Sequence, residues 1–133
     1  MYLFFQRAVV VLVHALLRLL GVPPIVCLCG STSKALEAFR LANLQETMAG
    51  RIVLTIGCDT KSDDDLFGLD GEAREHVKQK LDVLHLYKIV VAHEILVLNV
   101  DGYIGQSTRR ELTHARELHK HVRFLEPEKA LVA

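Results

Sequence analysis

Apolar residues along this chain follow two rhythms. Four short stretches, residues 25–29, 52–56, 94–100 and 122–125, are dominated by Val, Ile, Leu, Cys and Phe, the pattern of strands covered on both faces. Between them the apolar positions recur at helical spacing. Residues 35–48 carry Ala35, Phe39 and Ala42 and stop at Gly50, with Ser31-Thr32-Ser33 offering an N-cap. Residues 72–91 carry Val77, Leu81, Leu84 and Val91 along one stripe, and a further helix is predicted over 107–119. The stretch 58–71, with Asp63-Asp64-Asp65, reads as a loop over one edge of the sheet, and the tail after Pro127 as frayed. Strands alternating with amphipathic helices predict an α/β fold: a parallel sheet of four to five strands with helices on both faces.

The first twenty residues break this rhythm. Residues 2–20 are almost wholly apolar, but Arg7 and Arg18 bracket only ten positions, with His14 among them. A span needs about 20 mostly apolar residues, and no small-residue cleavage site follows. On a helical wheel Arg7, Val11, His14 and Arg18 fall within about 60°, giving a narrow polar stripe and a wide apolar face. A helix buried at a subunit interface is the leading reading, then a helix lying on a membrane surface, then an extension outside the working fold. Gly21 and Pro23-Pro24 end the segment, dividing the chain into a helix over 1–22 and a domain over 23–133.

Composition narrows the picture further. A length of 133 residues, half of them hydrophobic, fits one domain with one core. Sixteen basic residues balance sixteen acidic ones, which argues against a nucleic-acid binder working through a broad basic face. Of the three cysteines, Cys27 and Cys29 alternate on a predicted strand and therefore share one face. A reduced, cytoplasmic chain with structural thiols is favoured over a disulfide framework. The Cys-Leu-Cys spacing is by itself a weak metal signal.

In a parallel sheet the ligand crevice opens beyond the carboxyl ends of the strands, where the strand order reverses. If the first and third strands are neighbours there, two loops converge. Gly30-Ser31-Thr32 lies between a strand and a helix start, a position suited to a phosphate or to sugar hydroxyls. The second loop runs from Asn99 through Asp101, Gly102, Tyr103 and Gly105 to Ser107, Thr108 and Arg109. Its glycines let backbone approach a ligand, and Tyr103 can stack on a flat ring. Glu111 falls one turn into the following helix. Thr108-Arg109-Arg110-Glu111 matches a capping box, the ordinary role for such a glutamate. The sharper reading is a carboxylate at the crevice floor, able to trap an oxocarbenium-like glycosyl carbon. His85 is more often a plain surface or core histidine; facing the crevice, it would orient that carboxylate or protonate a leaving base. His93, His114, His119 and His121 lack convincing ligand geometry.

Three segments together resemble the nucleoside 2-deoxyribosyltransferase-like superfamily, in a poorly characterised bacterial and phage branch. They are Ile25-Val26-Cys27-Leu28-Cys29-Gly30-Ser31-Thr32, Leu84-His85-Leu86-Tyr87-Lys88-Ile89, and the run from Asn99 to Glu111. The resemblance covers residues 25–126 and implies a flavodoxin-like, Rossmann-like sheet. It also implies cleavage or exchange of the N-glycosidic bond of nucleosides or their 5′-monophosphates. The family's nucleophilic glutamate lies in a pattern like Gly-Thr-Ala-x-Glu-x-Gly-x-Ala. Here Glu111 falls on the nucleophile, and Thr108 and Ala115 match. Ser107 and Thr113 stand where the family has glycines and Arg109 where it has a small residue, while His85 takes the place of an acidic partner.

The expected function is therefore glycosidic cleavage or base exchange on a nucleoside or nucleotide. Glu111 would be the nucleophile, with His85 and Asp101 as further catalytic candidates. Gly30, Ser31, Thr32, Asn99, Gly102, Tyr103, Gly105, Ser107, Thr108 and Arg109 are the substrate-binding candidates. Neither metal nor organic cofactor is required for that chemistry. A homodimer or higher oligomer is expected, without nucleic acid, and membrane contact through residues 2–20 is the less favoured reading. The alternative function is a non-catalytic nucleotide-binding or sensing module of the same fold.

Overall fold

The computed structural model describes residues 1–56 and 70–128. Among these described residues, four helices and four strands follow one another as α1 (Tyr2–Leu19), β1 (Ile25–Cys29), α2 (Leu36–Met48), β2 (Ile52–Leu54), α3 (Gly71–Val91), β3 (Glu94–Val97), α4 (Gln106–Glu117) and β4 (His121–Phe124). A single 3-10 turn, Val100–Gly102, separates β3 from α4. All strand pairs are parallel, in the order β2-β1-β3-β4. The chain builds outward from β1 in both directions, so the switch point lies between β1 and β3. The expected α/β fold with a parallel sheet and an extra N-terminal apolar helix is the observed one.

The alternation of side chains along β1 divides the core in two. Val26 and Leu28 face Ala35, Phe39 and Ala42 on one side of the sheet, together with Leu96 and Leu98. Cys27 and Cys29 face the other side, packed with Ile89, Ile95, Val97, Leu112 and Ala115. Thus α2 covers one face, and α3 with α4 the other.

Several local expectations need correction. The strand predicted over 52–56 is a three-residue strand with Ile52 exposed, at the edge of the sheet among the described residues, where β1 is its one partner. The strand predicted over 94–100 ends at Val97, where the chain turns instead. The apolar stripe proposed for α3 was displaced. Leu84 and Val91 are exposed, whereas His85, Ile89 and Val90 are buried. The i, i+4 pair His85 and Ile89 marks the inward face, and the histidine disguised it. α2 begins at Leu36 with Ala35 at its N-cap, so Ser31-Thr32-Ser33 forms a turn before the helix; Lys34 and Ala35 donate to the Ser31 carbonyl in that turn. Most of the predicted loop 58–71 and the end of the C-terminal tail lie outside the described residues.

The N-terminal helix meets the domain through a mixed side that carries Arg7, Val10 and His14. His14 Nε2 donates to the Val91 carbonyl at 2.8 Å, and its ring stacks on His93 at 3.7 Å between centroids. His93 in turn accepts from the Ile25 amide through Nδ1 at 2.9 Å. No residue of α1 is buried, and Phe4, Phe5, Leu12, Leu16 and Leu19 point outward. By length and composition alone, α1 is apolar enough to cross a membrane.

Candidate active site at the switch point

A cleft of about 280 Å³ opens at the carboxyl ends of β1 and β3. Gly30, Ser31 and Thr32 form one wall, and Tyr103, Gly105, Gln106, Ser107 and Thr108 form another. Leu81, Asp82, Leu84, His85 and Lys88 contribute from α3, Ile56 from beyond β2, and Glu111 from α4.

Close packing dictates parts of these walls. A Cβ at Gly30 would sit 3.1 Å from Leu98 Cβ and 3.3 Å from Phe39 Cε2, so a larger residue where β1 hands over to the cleft would have to push these neighbours aside. Gly105 caps α4 from extended backbone, without a side-chain cap. Thr108 consequently lies inside the helix and is buried, and the capping-box role expected from its spacing to Glu111 is not the one observed. The first-turn residues of α4 belong to the cleft wall, and the N-terminal end of a helix favours anions. Lys88 Nζ, also in the wall, donates to the Thr55 carbonyl at 2.6 Å.

At the base of the cleft, β1, α3 and α4 bring four side chains together. His85 Nε2 lies 3.7 Å from Cys27 Sγ, 3.6 Å from Cys29 Sγ and 3.9 Å from Glu111 Oε2. Only 13% of the Glu111 side chain is exposed. Cys27 and Cys29 are fully buried and unbridged. The hydrogen bond from Cys29 brings the Cys27 thiol down to about 6 against the penalty of burial, with His85 assisting. Cys29 goes the other way, pushed well up by its neighbour Cys27, by burial and by the Glu111 carboxylate. Burial opposes a charge on His85, but Cys27 and Glu111 outweigh it and raise the imidazole above its usual value. Cys27 and His85 therefore each favour the other's charged form.

The structure brings together Glu111, His85, Gly30, Ser31, Thr32, Tyr103, Gly105, Ser107 and Thr108, and holds the other candidates apart from the cleft lining. Asn99 is buried and engaged elsewhere. Its Nδ2 donates to the Glu126 carbonyl at 3.0 Å, and its Oδ1 accepts from the Glu126 amide at 2.9 Å. Asp101 and Gly102 hold left-handed backbone, with φ of 55° and 76°, and their amides donate to the Glu126 carboxylate at 3.1 Å each. This part of the loop fastens β3 to the end of β4. Arg109 is exposed, and its Nε donates to the Ile104 carbonyl at 3.3 Å.

Compared with known proteins, the chain matches no family model, no curated protein and no solved structure.

Sequence reasoning did not place Asp82 or Gln106 in the cleft, nor the two cysteines beneath it. For the thiols the signal was there: their i, i+2 spacing put both on one face, and only the identity of that face was missing.

Proposed function

We propose that the cleft binds a nucleoside or nucleotide and that the protein acts on its N-glycosidic bond, as resemblance to the nucleoside 2-deoxyribosyltransferase-like superfamily implies. The observation that carries this reading is the position of Glu111. It lies at the base of a switch-point cleft, inside α4 rather than at its cap, with His85 beside it.

The Glu111 carboxylate attacks C1′ of the sugar. As the new C–O bond forms, the C1′–N bond breaks and its electron pair leaves with the base, which takes up a proton. Water or a second base then attacks C1′ and frees Glu111, giving hydrolysis or exchange. The direction of His85 Nε2, towards Glu111 and the thiols, supports a positioning role over proton delivery to the base. Ser31, Thr32 and the first turn of α4 offer hydroxyls and amides to the sugar or a 5′-phosphate. Tyr103, Leu81 and Leu84 offer an apolar wall to the base. The outward face of α1 suits a second copy of the chain as its partner.

Incubation with a panel of deoxynucleosides and their 5′-monophosphates, with chromatography for free base, tests the proposal. Base release that falls roughly a thousandfold or more in Glu111→Gln is expected. Release undiminished by that change removes Glu111 as nucleophile. The second reading, a binding module without turnover, is favoured by the low exposure of Glu111 and its contacts with His85 and Cys29. Saturable binding of a nucleotide without base release would select it.

A further inference from the structure

We propose that Cys27, Cys29, His85 and Glu111 form a binding site for a thiophilic divalent cation, zinc by preference, at the floor of the cleft. The ligand atoms of Cys27, Cys29 and His85 all lie within 4.8 Å of one another, and Glu111 Oε2 is 3.9 Å from His85 Nε2.

Geometry is the main argument. With Zn–S near 2.3 Å and Zn–N near 2.0–2.1 Å, the S···N edge of a regular tetrahedron is about 3.6 Å. The two sulfur-to-nitrogen distances here are 3.6 and 3.7 Å. A cation seated among these atoms would find both sulfur-to-nitrogen edges at tetrahedral length, with the two sulfurs no more than 4.8 Å apart, and the carboxylate closes the fourth position after a small approach. The donor set is two sulfurs, one imidazole nitrogen and one carboxylate oxygen. It excludes calcium and magnesium, which take oxygen ligands, and suits zinc.

The surroundings agree with this reading. A cross-link between the two thiols would need unusual backbone. Residues i and i+2 of a strand lie about 6.6 Å apart, near the upper limit for a disulfide. The thiols are wholly buried, whereas His85 and Glu111 line the cleft, which gives an ion an entry path. The three ligand-bearing elements β1, α3 and α4 meet only in the folded protein, so binding would also fasten the two helices to the sheet. A cation held here engages the same carboxylate that the glycosidic mechanism uses, so metal and sugar would compete for Glu111.

The test uses the full chain carrying Cys58→Ser, so that Cys27 and Cys29 are its only thiols. The reduced, metal-free protein is titrated with Co²⁺ and then with Zn²⁺. Expected are one Co²⁺ per chain, thiolate-to-cobalt charge-transfer absorption, visible bands of tetrahedral intensity, and displacement by one equivalent of Zn²⁺. Substituting a core cysteine can itself disturb folding, so His85→Ala and Glu111→Gln are measured beside Cys27→Ser, each checked by circular dichroism. His85→Ala should lower affinity by more than the roughly 10–100-fold that loss of an outer hydrogen bond to a ligand costs, and Glu111→Gln should weaken binding and alter the visible bands. A folded chain without the charge-transfer band overturns the site, as does full affinity in folded His85→Ala. Unchanged spectra in Glu111→Gln would remove the carboxylate from the ligand set. Because the readout is metal binding, failure here leaves the glycosidic reading standing, and failure to release base leaves the metal site standing.

Discussion

Lys120 sits immediately before β4, and its ammonium donates to the carbonyls of Val90 and Ala92 at 2.7 and 2.6 Å. Burial lowers this amine to about 8 from its usual 10.5. The unfolded chain therefore binds the proton more tightly than the native one, so Lys120 contributes a gain in stability as pH rises from about 8 to 10.5. Urea unfolding across that range should show a steeper rise for wild type than for Lys120→Met; identical slopes would refute it. Gly30 permits a sharper test. An added methyl would press on Leu98 and Phe39, so Gly30→Ala should lower stability by about 1–3 kcal/mol, as overpacking does, and move the denaturation midpoint accordingly. The sequence marked Gly30 as a residue at the crevice, and the structure adds that two buried side chains, Leu98 and Phe39, crowd the place of a Cβ. Asn99 and Asp101 show the opposite case. As polar residues in a glycine-containing loop they read as sugar ligands, but the Asn99 side chain and the Asp101 amide are bonded to Glu126, twenty-five or more positions away, which holds that loop to β4 outside the cleft lining.

Elements are joined across the sheet by one charged group that the pattern of apolar residues could not reveal. Glu46 of α2 is buried, and its carboxylate accepts from Arg123 of β4 at 3.0 and 2.7 Å and from Arg51 at 3.0 Å; Arg123 also reaches Glu94 of β3 at 2.9 Å. Removal of the guanidinium in Arg123→Ala should cost about 1.5–3 kcal/mol, the range for hydrogen bonds to charged groups, measured by chemical denaturation at neutral pH. Arg123 also holds the Glu46 carboxyl below its ordinary value of 4.5 against the opposing effect of burial. The unfolded chain thus takes up protons first on acidification. Stability from this group is complete above about pH 4.5 and declines as pH falls through the lower native value. Glu46→Gln should flatten the acid limb of the stability curve, and an unchanged limb would count against the network. Strands and helices were legible because burial on both faces of a parallel sheet imposes a strong periodicity. The ends of β2 and β3 were not, because apolar residues continue past the point where pairing stops.

At the scale of the whole molecule, α1 stands out: an eighteen-residue helix without a buried residue, attached through His14 and presenting aromatic and leucine side chains outward. A chain lacking residues 1–22 should keep the α/β fold, since no residue of α1 is buried and Val10 is its one side chain packed against the core among the described residues. If a second copy covers the apolar face, sedimentation will show a smaller species than the full chain gives. Equal masses combined with vesicle binding by the full chain alone would favour a lipid surface instead. The order of elements, the parallel sheet and the two faces of β1 were determined by the sequence itself, because the spacing of apolar residues encodes which side of each element must leave water. That Glu111 lies at the crevice was also legible, through its place one turn into the helix after the second loop. Only the tertiary structure decided that the side of α1 carrying Arg7, Val10 and His14 turns inward, that His85 belongs to the buried face of α3, and that two thiols meet an imidazole and a carboxylate beneath the cleft. Those relations join residues tens of positions apart, and their distances are set by how helices pack across a sheet, which local periodicity does not specify.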